Sequence, residues 1–124
     1  MRTRNRTLTG QELEIMKVIW ELQTATVRHV YEALLRRRKI AYTTVMTMMG
    51  IMEEKGFLKK QSGERAYVYR PAQAKSVVMR AMLQDFVSRV FNGSAEPLLV
   101  QLVKDRYLSP QDLEKIARAI KESA

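Results

Sequence analysis

The order of hydrophobic patterns between residues 8 and 71 is the feature that most restricts the fold of this chain. Apolar residues recur every three or four positions in three successive stretches, which are residues 13–20, 27–34 and 45–52. Two β-prone runs, 57–60 and 66–70, then flank a turn-rich link at 61–65. Three short helices followed by a hairpin is the order of a winged helix-turn-helix, which we predict for residues 1–72.

Local start and stop signals support these helices. Thr9 and Glu12 have the spacing of a capping box at the start of the first helix, and Thr26 is a suitable N-cap for the second. Gly56 supplies a C-terminal stop for the third. His29 lies three residues after Thr26, so we interpret it as a surface or capping-turn side chain rather than a catalytic acid or base.

Composition argues against several classes of function. The 124 residues include no cysteine and a single histidine, so we expect no disulfide and no metal site. We recognise no catalytic triad and no glycine-rich phosphate loop, and we therefore expect neither a cofactor nor an enzyme. No apolar run approaches the roughly 18 residues of a membrane span, and no signal-like stretch follows the basic segment 1–6. These features predict a cytoplasmic protein without a membrane partner.

Positive charge is concentrated in the N-terminal part of the chain. Residues 1–72 hold 14 basic and 7 acidic side chains, whereas residues 73–124 hold 8 and 6. A basic module favours contact with nucleic-acid phosphates. The run 36–39, Arg-Arg-Arg-Lys, fits a phosphate contact and equally fits the C-terminus of a helix, where cations are favourable. We rank a membrane-surface role for this run last, because the fold needs the apolar face of the second helix for its core.

The third helix has an unusual polar face. Its apolar stripe contains Val45 and Met52, while Thr43, Thr47 and Gly50 lie on another face. Small hydroxylated side chains allow close approach to base edges, and a threonine methyl can touch a thymine methyl in the major groove. Threonines are also common on solvent-facing helices, so this face alone does not establish contact with DNA.

Four segments resemble the BlaI/MecI/CopY group of penicillinase-type repressors; they are residues 8–21, 41–47, 55–58 and 63–71. The AYTTVMT segment, the Lys-Gly turn and the wing sequence GERAYVYRP carry most of this resemblance. Glu64 separates the wing glycine from the arginine, and Ile51 stands where many relatives place an arginine. The resemblance implies a winged-helix domain, a helical dimerisation domain and repression through a palindromic operator.

The resemblance and the helix period together predict the residues that contact double-stranded operator DNA. They are Arg28, Tyr42, Thr43, Thr44, Met46, Thr47 and Arg65. We expect the five residues from the third helix to face the major groove, and Arg65 on the wing to touch phosphate or the minor groove. The alternative function is an interaction module that uses the winged helix to bind protein, or RNA without sequence preference.

Residues 73–124 contain only helical patterns. About 50 residues in three amphipathic helices bury too little apolar surface to be stable alone, so we predict a helical domain that forms a homodimer. The predicted dimer contacts are Met79, Met82, Phe86, Val90, Leu99, Leu102, Leu113, Ile116 and Ile120. The alternative is that these helices pack back on the winged domain.

The resemblance also bears on how repression ends. Relatives that respond to β-lactams are cut within the dimerisation domain between an asparagine and a phenylalanine. Gln101-Leu102 aligns with that pair but matches neither of its residues, so the resemblance offers it as a cleavage site without favouring cleavage there, and offers a sensor-linked protease as a candidate partner. Copper-responsive relatives use a C-terminal cysteine motif, which this chain lacks.

Overall fold

The computed structural model describes residues 7–123, and the basic segment 1–6 lies outside them. It contains the helices α1 (Gly10–Leu22), α2 (Val27–Leu35), α3 (Tyr42–Glu54), α4 (Lys75–Phe91), α5 (Glu96–Lys104) and α6 (Pro110–Ser123), with strands β1 (Leu58–Ser62) and β2 (Tyr67–Pro71) between α3 and α4. This architecture confirms the predicted fold class, a mainly α chain with one small hairpin in a winged helix-turn-helix followed by further helices.

The predicted N-caps are present. The Thr9 hydroxyl accepts a hydrogen bond from the Glu12 N–H at 3.1 Å, and the Glu12 carboxylate accepts one from the Thr9 N–H at 3.0 Å. At the start of α2, the Thr26 hydroxyl accepts from the His29 N–H, and the His29 Nδ1 accepts from the Thr26 N–H, both at 3.1 Å. The interpretation of His29 as a capping side chain is therefore confirmed.

The end of α3 is set by Gly56. This residue has φ 90°, a left-handed conformation that glycine adopts without strain. Its N–H donates to the Glu53 carbonyl at 3.0 Å, and the Phe57 N–H donates to the Met52 carbonyl at 2.9 Å. These two bonds form a Schellman motif, and both Met52 and Phe57 are buried beneath it. The chain therefore leaves α3 with a fixed direction into β1.

The hairpin is longer than its sequence pattern predicts. Gln61 pairs with Val68 and Ser62 pairs with Tyr67, so two polar residues of the predicted turn belong to β1. The connection is shortened to residues 63–66, and the Gly63 N–H donates to the Ala66 carbonyl at 3.0 Å. A Cβ at Gly63 would lie 2.5 Å from that carbonyl oxygen, so glycine is required by this close approach.

A backbone bridge attaches the hairpin to the segment before α2. The Ala25 N–H donates to the Tyr69 carbonyl at 2.9 Å, and the Tyr69 N–H donates to the Ala25 carbonyl at 2.8 Å. Both residues are buried. The base of the wing is thus held directly against the start of the helix-turn-helix.

One hydrophobic core lies beneath α1, α2, α3 and the hairpin. Its buried apolar members are Leu8, Ile15, Met16, Ile19, Ala25, Val30, Leu34, Val45, Met49, Met52, Phe57, Leu58, Tyr69 and Val78. Val78 comes from α4, so the first compact unit of the chain continues through Met82. The functional division at residue 72 stays a prediction.

The second compact unit begins at Leu83 and contains the end of α4 with α5 and α6. Asn92 and Gly93 both have positive φ and end α4. Ser109 and Asp112 cap α6 through reciprocal hydrogen bonds of 2.9 and 3.0 Å. No side chain of residues 83–123 is buried.

Among the helices of residues 7–123, none is both long and apolar enough to cross a membrane.

Candidate nucleic-acid interface

α3 presents one buried and one open face. Val45, Met49 and Met52 are fully buried, whereas Thr43 and Thr47, about half a turn away around the helix axis, are exposed. The helix begins after Ala41, whose side chain provides no cap, so the first N–H groups of α3 have no side-chain partner from that residue. The open face therefore combines hydroxyl groups with a helix N-terminus.

Large apolar side chains border the threonines on the open face. Tyr42 is 37% exposed, Met46 46% and Ile51 41%. Met46 lies on one side of the line through Thr43 and Thr47, and Ile51 lies on the other, because successive residues are about 100° apart around the axis. Thr44 is also exposed, on the side of Ile51.

Arg28 and Tyr42, from two different helices, are in contact. The Arg28 guanidinium lies 5.7 Å from the centre of the Tyr42 ring, and its Nη1 lies 3.5 Å from the Glu32 carboxylate. The Tyr31 ring packs edge-on against Tyr42 with 5.4 Å between centres. Stacking on a ring and an adjacent carboxylate restrict the orientation of Arg28 at the edge of α2.

A cleft joins these residues to the wing. It has a volume of about 550 Å³ and is lined by Thr26, Val27, Arg28, Tyr42, Met46, Arg65, Ala66, Tyr67 and Tyr69. Four of the seven predicted DNA contacts therefore border one cleft. Thr43, Thr44 and Thr47 do not line it and lie on the open surface of α3.

Lys60 and Tyr67 border the candidate interface, although the sequence does not predict them as site residues. The Lys60 ammonium lies 4.4 Å from the centre of the Tyr67 ring and 3.7 Å from the Glu53 carboxylate, which connects the wing to α3. Burial raises the pKa of the neighbouring Tyr69 hydroxyl, and the charge of Lys60 partly opposes that shift. The alternation of side chains along β1 and β2 was the available signal, because residues 60 and 67 lie near one another across the hairpin.

Internal ion pairs occupy more than half of the acidic groups of the basic module. Glu12, Glu14, Glu32 and Glu53 pair with Lys55, Arg38, Arg28 and Lys60 respectively. Within residues 7–72, the cations that make no ion pair with a described carboxylate are Lys17, Arg36, Arg37, Lys39, Lys59, Arg65 and Arg70. Positive charge therefore remains uncompensated around the helix-turn-helix and the wing.

The basic run 36–39 is divided in the structure. α2 ends at Leu35, and Arg36 is its C-cap. Arg38 donates to Glu14 of α1 at 2.9 Å and so has a structural role, while Arg36, Arg37 and Lys39 are exposed.

Among residues 7–123, no three acidic or histidine side chains are grouped closely enough to hold a metal ion.

The sequence of this chain matches a known protein family. The family model described as penicillinase repressor matches residues 8–122, almost all of the chain. The chain belongs to the penicillinase repressor family. The resemblance to the BlaI/MecI group that the sequence indicated is thereby confirmed.

Individual relatives agree with this assignment. The penicillinase repressor of Bacillus licheniformis is 24% identical over 115 residues, which cover 93% of this chain and 90% of that one. The transcriptional regulator BlaI of Mycobacterium tuberculosis is 29% identical over 113 residues, covering 90% and 80%. The solution structure of monomeric B. licheniformis BlaI in complex with the blaP half-operator matches 56% of this chain and 85% of its own, with 30% identity and a TM-score of 0.51.

Proposed function

We propose that this chain is a dimeric transcriptional repressor that binds a palindromic operator through α3 and the wing. The observation that carries the proposal is the open face of α3, whose hydroxyl groups lie on a helix joined to the wing by the Glu53–Lys60 ion pair, in a unit that holds several cations without a described carboxylate partner. A helix inserted in the major groove needs such a face, together with positive charge on either side for the phosphates. A family member of this fold was solved on a half-operator, which supports the same role here.

Different residues serve different parts of this interface. Thr43, Thr44 and Thr47 are exposed at the front of α3, where their hydroxyls can reach base edges. Arg28 and Arg65 both border the cleft beside α3, from where we expect them to reach the DNA backbone, or the minor groove in the case of the wing. Base contacts supply the sequence preference, while the arginines supply affinity that depends on salt.

The second unit supplies dimerisation in this proposal. Residues 83–123 bury no side chain, yet Phe86, Val90, Leu99, Ile116 and Ile120 are all more than two-fifths exposed. Exposed apolar faces of this extent in a small helical unit favour pairing with a second copy. Met82 serves the chain itself, because it packs against the core of the first unit.

Release by proteolysis is the remaining part of the proposal. Gln101 is exposed in the middle of α5, where its amide donates to the Asp105 carboxylate at 2.9 Å, and Leu102 is half-buried. A sensor-linked protease would have to unwind α5 locally before cutting between them. We propose that the repressor acts in the cytoplasm, where bacterial operators lie, and that it acts by occupying DNA rather than by catalysis.

Selection of genomic fragments by the purified full-length chain tests this function. We expect a shared palindromic sequence, bound roughly a thousandfold more tightly than random duplex at physiological salt. The variant Thr43→Ala with Thr47→Ala keeps the charge of the surface and should lose much of that preference. Binding that depends steeply on salt but is equal for selected and random duplex would contradict the proposal and favour the general interaction module.

A further inference from the structure

The recognition helix α3 carries no lysine or arginine from Tyr42 to Glu54. Its charged residues are Glu53 and Glu54 at its end, and Lys60 lies 3.7 Å from Glu53. The commonest specific contact in the major groove, a bidentate arginine on guanine, therefore cannot come from this helix. Whatever α3 reads, it reads with uncharged side chains.

Met46 and Ile51 are the large aliphatic side chains exposed on α3. They flank Thr43 and Thr47 on opposite sides, and the rise of an α-helix separates them by about 7.5 Å along its axis, close to two base-pair steps. Neither is part of the core, and Tyr42 beside Met46 is already engaged by Arg28 and Tyr31. An aliphatic side chain gains nothing from contact with phosphate, so on a surface that faces DNA it needs an apolar group as its partner.

We propose that Met46 and Ile51 determine specificity by contacting the 5-methyl groups of thymines at two positions of each operator half-site. The thymine methyl is the apolar group that the bases present in the major groove, which commits this surface to one occupant. The proposal rests on the proposed function and adds the chemical feature of the sequence that α3 recognises. It follows that each half-site has A·T pairs at the two positions that these side chains contact, while Arg28 and Arg65 supply affinity through the DNA backbone.

Replacing thymine with deoxyuridine removes the methyl group and leaves the base-pairing edge unchanged. In the full-length chain bound to its selected operator, each thymine of a half-site is replaced in turn, symmetrically in both half-sites. Burial of one methyl predicts that binding weakens about threefold to fivefold for each half-site contact. Because both half-sites are changed together, we expect a total loss of about ninefold to 25-fold at two positions and no change at the others.

Single variants assign each position to a side chain. Met46→Ala should abolish the loss at one position and leave the other, and Ile51→Ala should do the reverse. Both side chains are exposed, so neither variant opens a cavity in the core. Leu22→Ala, a matched truncation of a residue that is 48% exposed at the end of α1, should leave both losses intact.

Two results would overturn this inference while leaving the proposed function standing. The first is specific operator binding that tolerates deoxyuridine at every position. The second is a deoxyuridine effect that Met46→Ala and Ile51→Ala both leave unchanged, which would assign the methyl contacts to the threonines. Failure of the chain to select any sequence would instead remove the proposed function, and this inference with it.

Discussion

The Lys55 ammonium lies 2.8 Å from one oxygen of the Glu12 carboxylate and 3.1 Å from the other. Glu12 is 5% exposed and also accepts the Thr9 N–H, so its charge is held by the cap of α1 and by the C-cap of α3 together. The contact joins residues 43 positions apart in the sequence. It holds the far end of the recognition helix against the start of the fold.

Replacing Lys55 with methionine should destabilise the first unit by about 2 kcal/mol, because the substitution leaves a buried carboxylate with one partner fewer. Urea unfolding of the full-length chain measures the change. Lys17→Met is the matched control, because Lys17 is exposed on α1 and forms no ion pair with a described carboxylate. The double variant Glu12→Gln with Lys55→Met should recover part of the loss. A variant as stable as the control would show that the contact contributes nothing.

Thr47→Ala should relax the preferred sequence at one or two base positions, because it removes a hydroxyl and a methyl from the open face of α3. The affinity for the preferred operator should fall by about tenfold, which corresponds to one lost base contact. Competition among operators that differ at single positions measures this. Thr24→Ala changes an exposed threonine outside the three helices and should leave the preference intact. An unchanged preference in Thr47→Ala would remove Thr47 from base readout.

Arg65→Ala should weaken binding to specific and random duplex by similar factors. The side chain lies on the connection between the wing strands, and a phosphate contact there carries no sequence information. The slope of log affinity against log salt should become shallower by about one unit per subunit. Binding isotherms at several salt concentrations provide the slope, with Lys17→Ala as the control for loss of one positive charge. A selective loss for the operator alone would assign Arg65 to base readout instead.

Ile120→Glu should shift the chain from dimer to monomer. Ile120 is 64% exposed on the same stripe of α6 as Leu113 and Ile116, and a carboxylate cannot be buried there without a partner. Sedimentation at micromolar concentration detects the change, and Gln111→Glu places the same charge at an exposed position on the opposite side of α6 as a control. If wild-type chain and both variants sediment alike, α6 takes no part in dimerisation.

Cutting the chain within residues 98–107 should abolish tight operator binding. A specific protease site placed at Gln101-Leu102 divides α5 and separates α6 from the winged unit, so the two half-sites are no longer bound together. Operator affinity before and after digestion provides the test, and a site placed after Ser123 is the control. Unchanged affinity after complete digestion would show that release does not depend on this segment.

The sequence predicted the features that depend on neighbouring residues. The caps at Thr9 and Thr26 each involve a partner three positions away, so the residue spacing contains the information. The buried stripe of α3 follows from helical period in the same way. The polarity of Gln61 and Ser62 predicts a turn, yet cross-strand pairing places both residues in β1.

Contacts between distant residues could not be read from the chain. Arg28 over Tyr42, and Lys60 between Glu53 and Tyr67, form only when helices and strands come together. The same holds for Val78, whose burial extends the first unit into α4 beyond the predicted boundary at residue 72. A fragment prepared to test half-site binding should therefore end after Met82 rather than after Ala72, so that Val78 is retained.

The Ala25–Tyr69 bridge affects the entropy of binding. With its base joined to the helix-turn-helix, the wing reaches DNA already paired as far as Ser62 and Tyr67. Only the four connecting residues 63–66 then have to become ordered when they contact the DNA backbone. Fixing a residue costs about 1–2 kcal/mol, so a hairpin ordered only on contact would lose several times more free energy than this one. The bridge thus preorganises the two strands that carry Arg65 and limits the entropy that is lost when this residue contacts DNA.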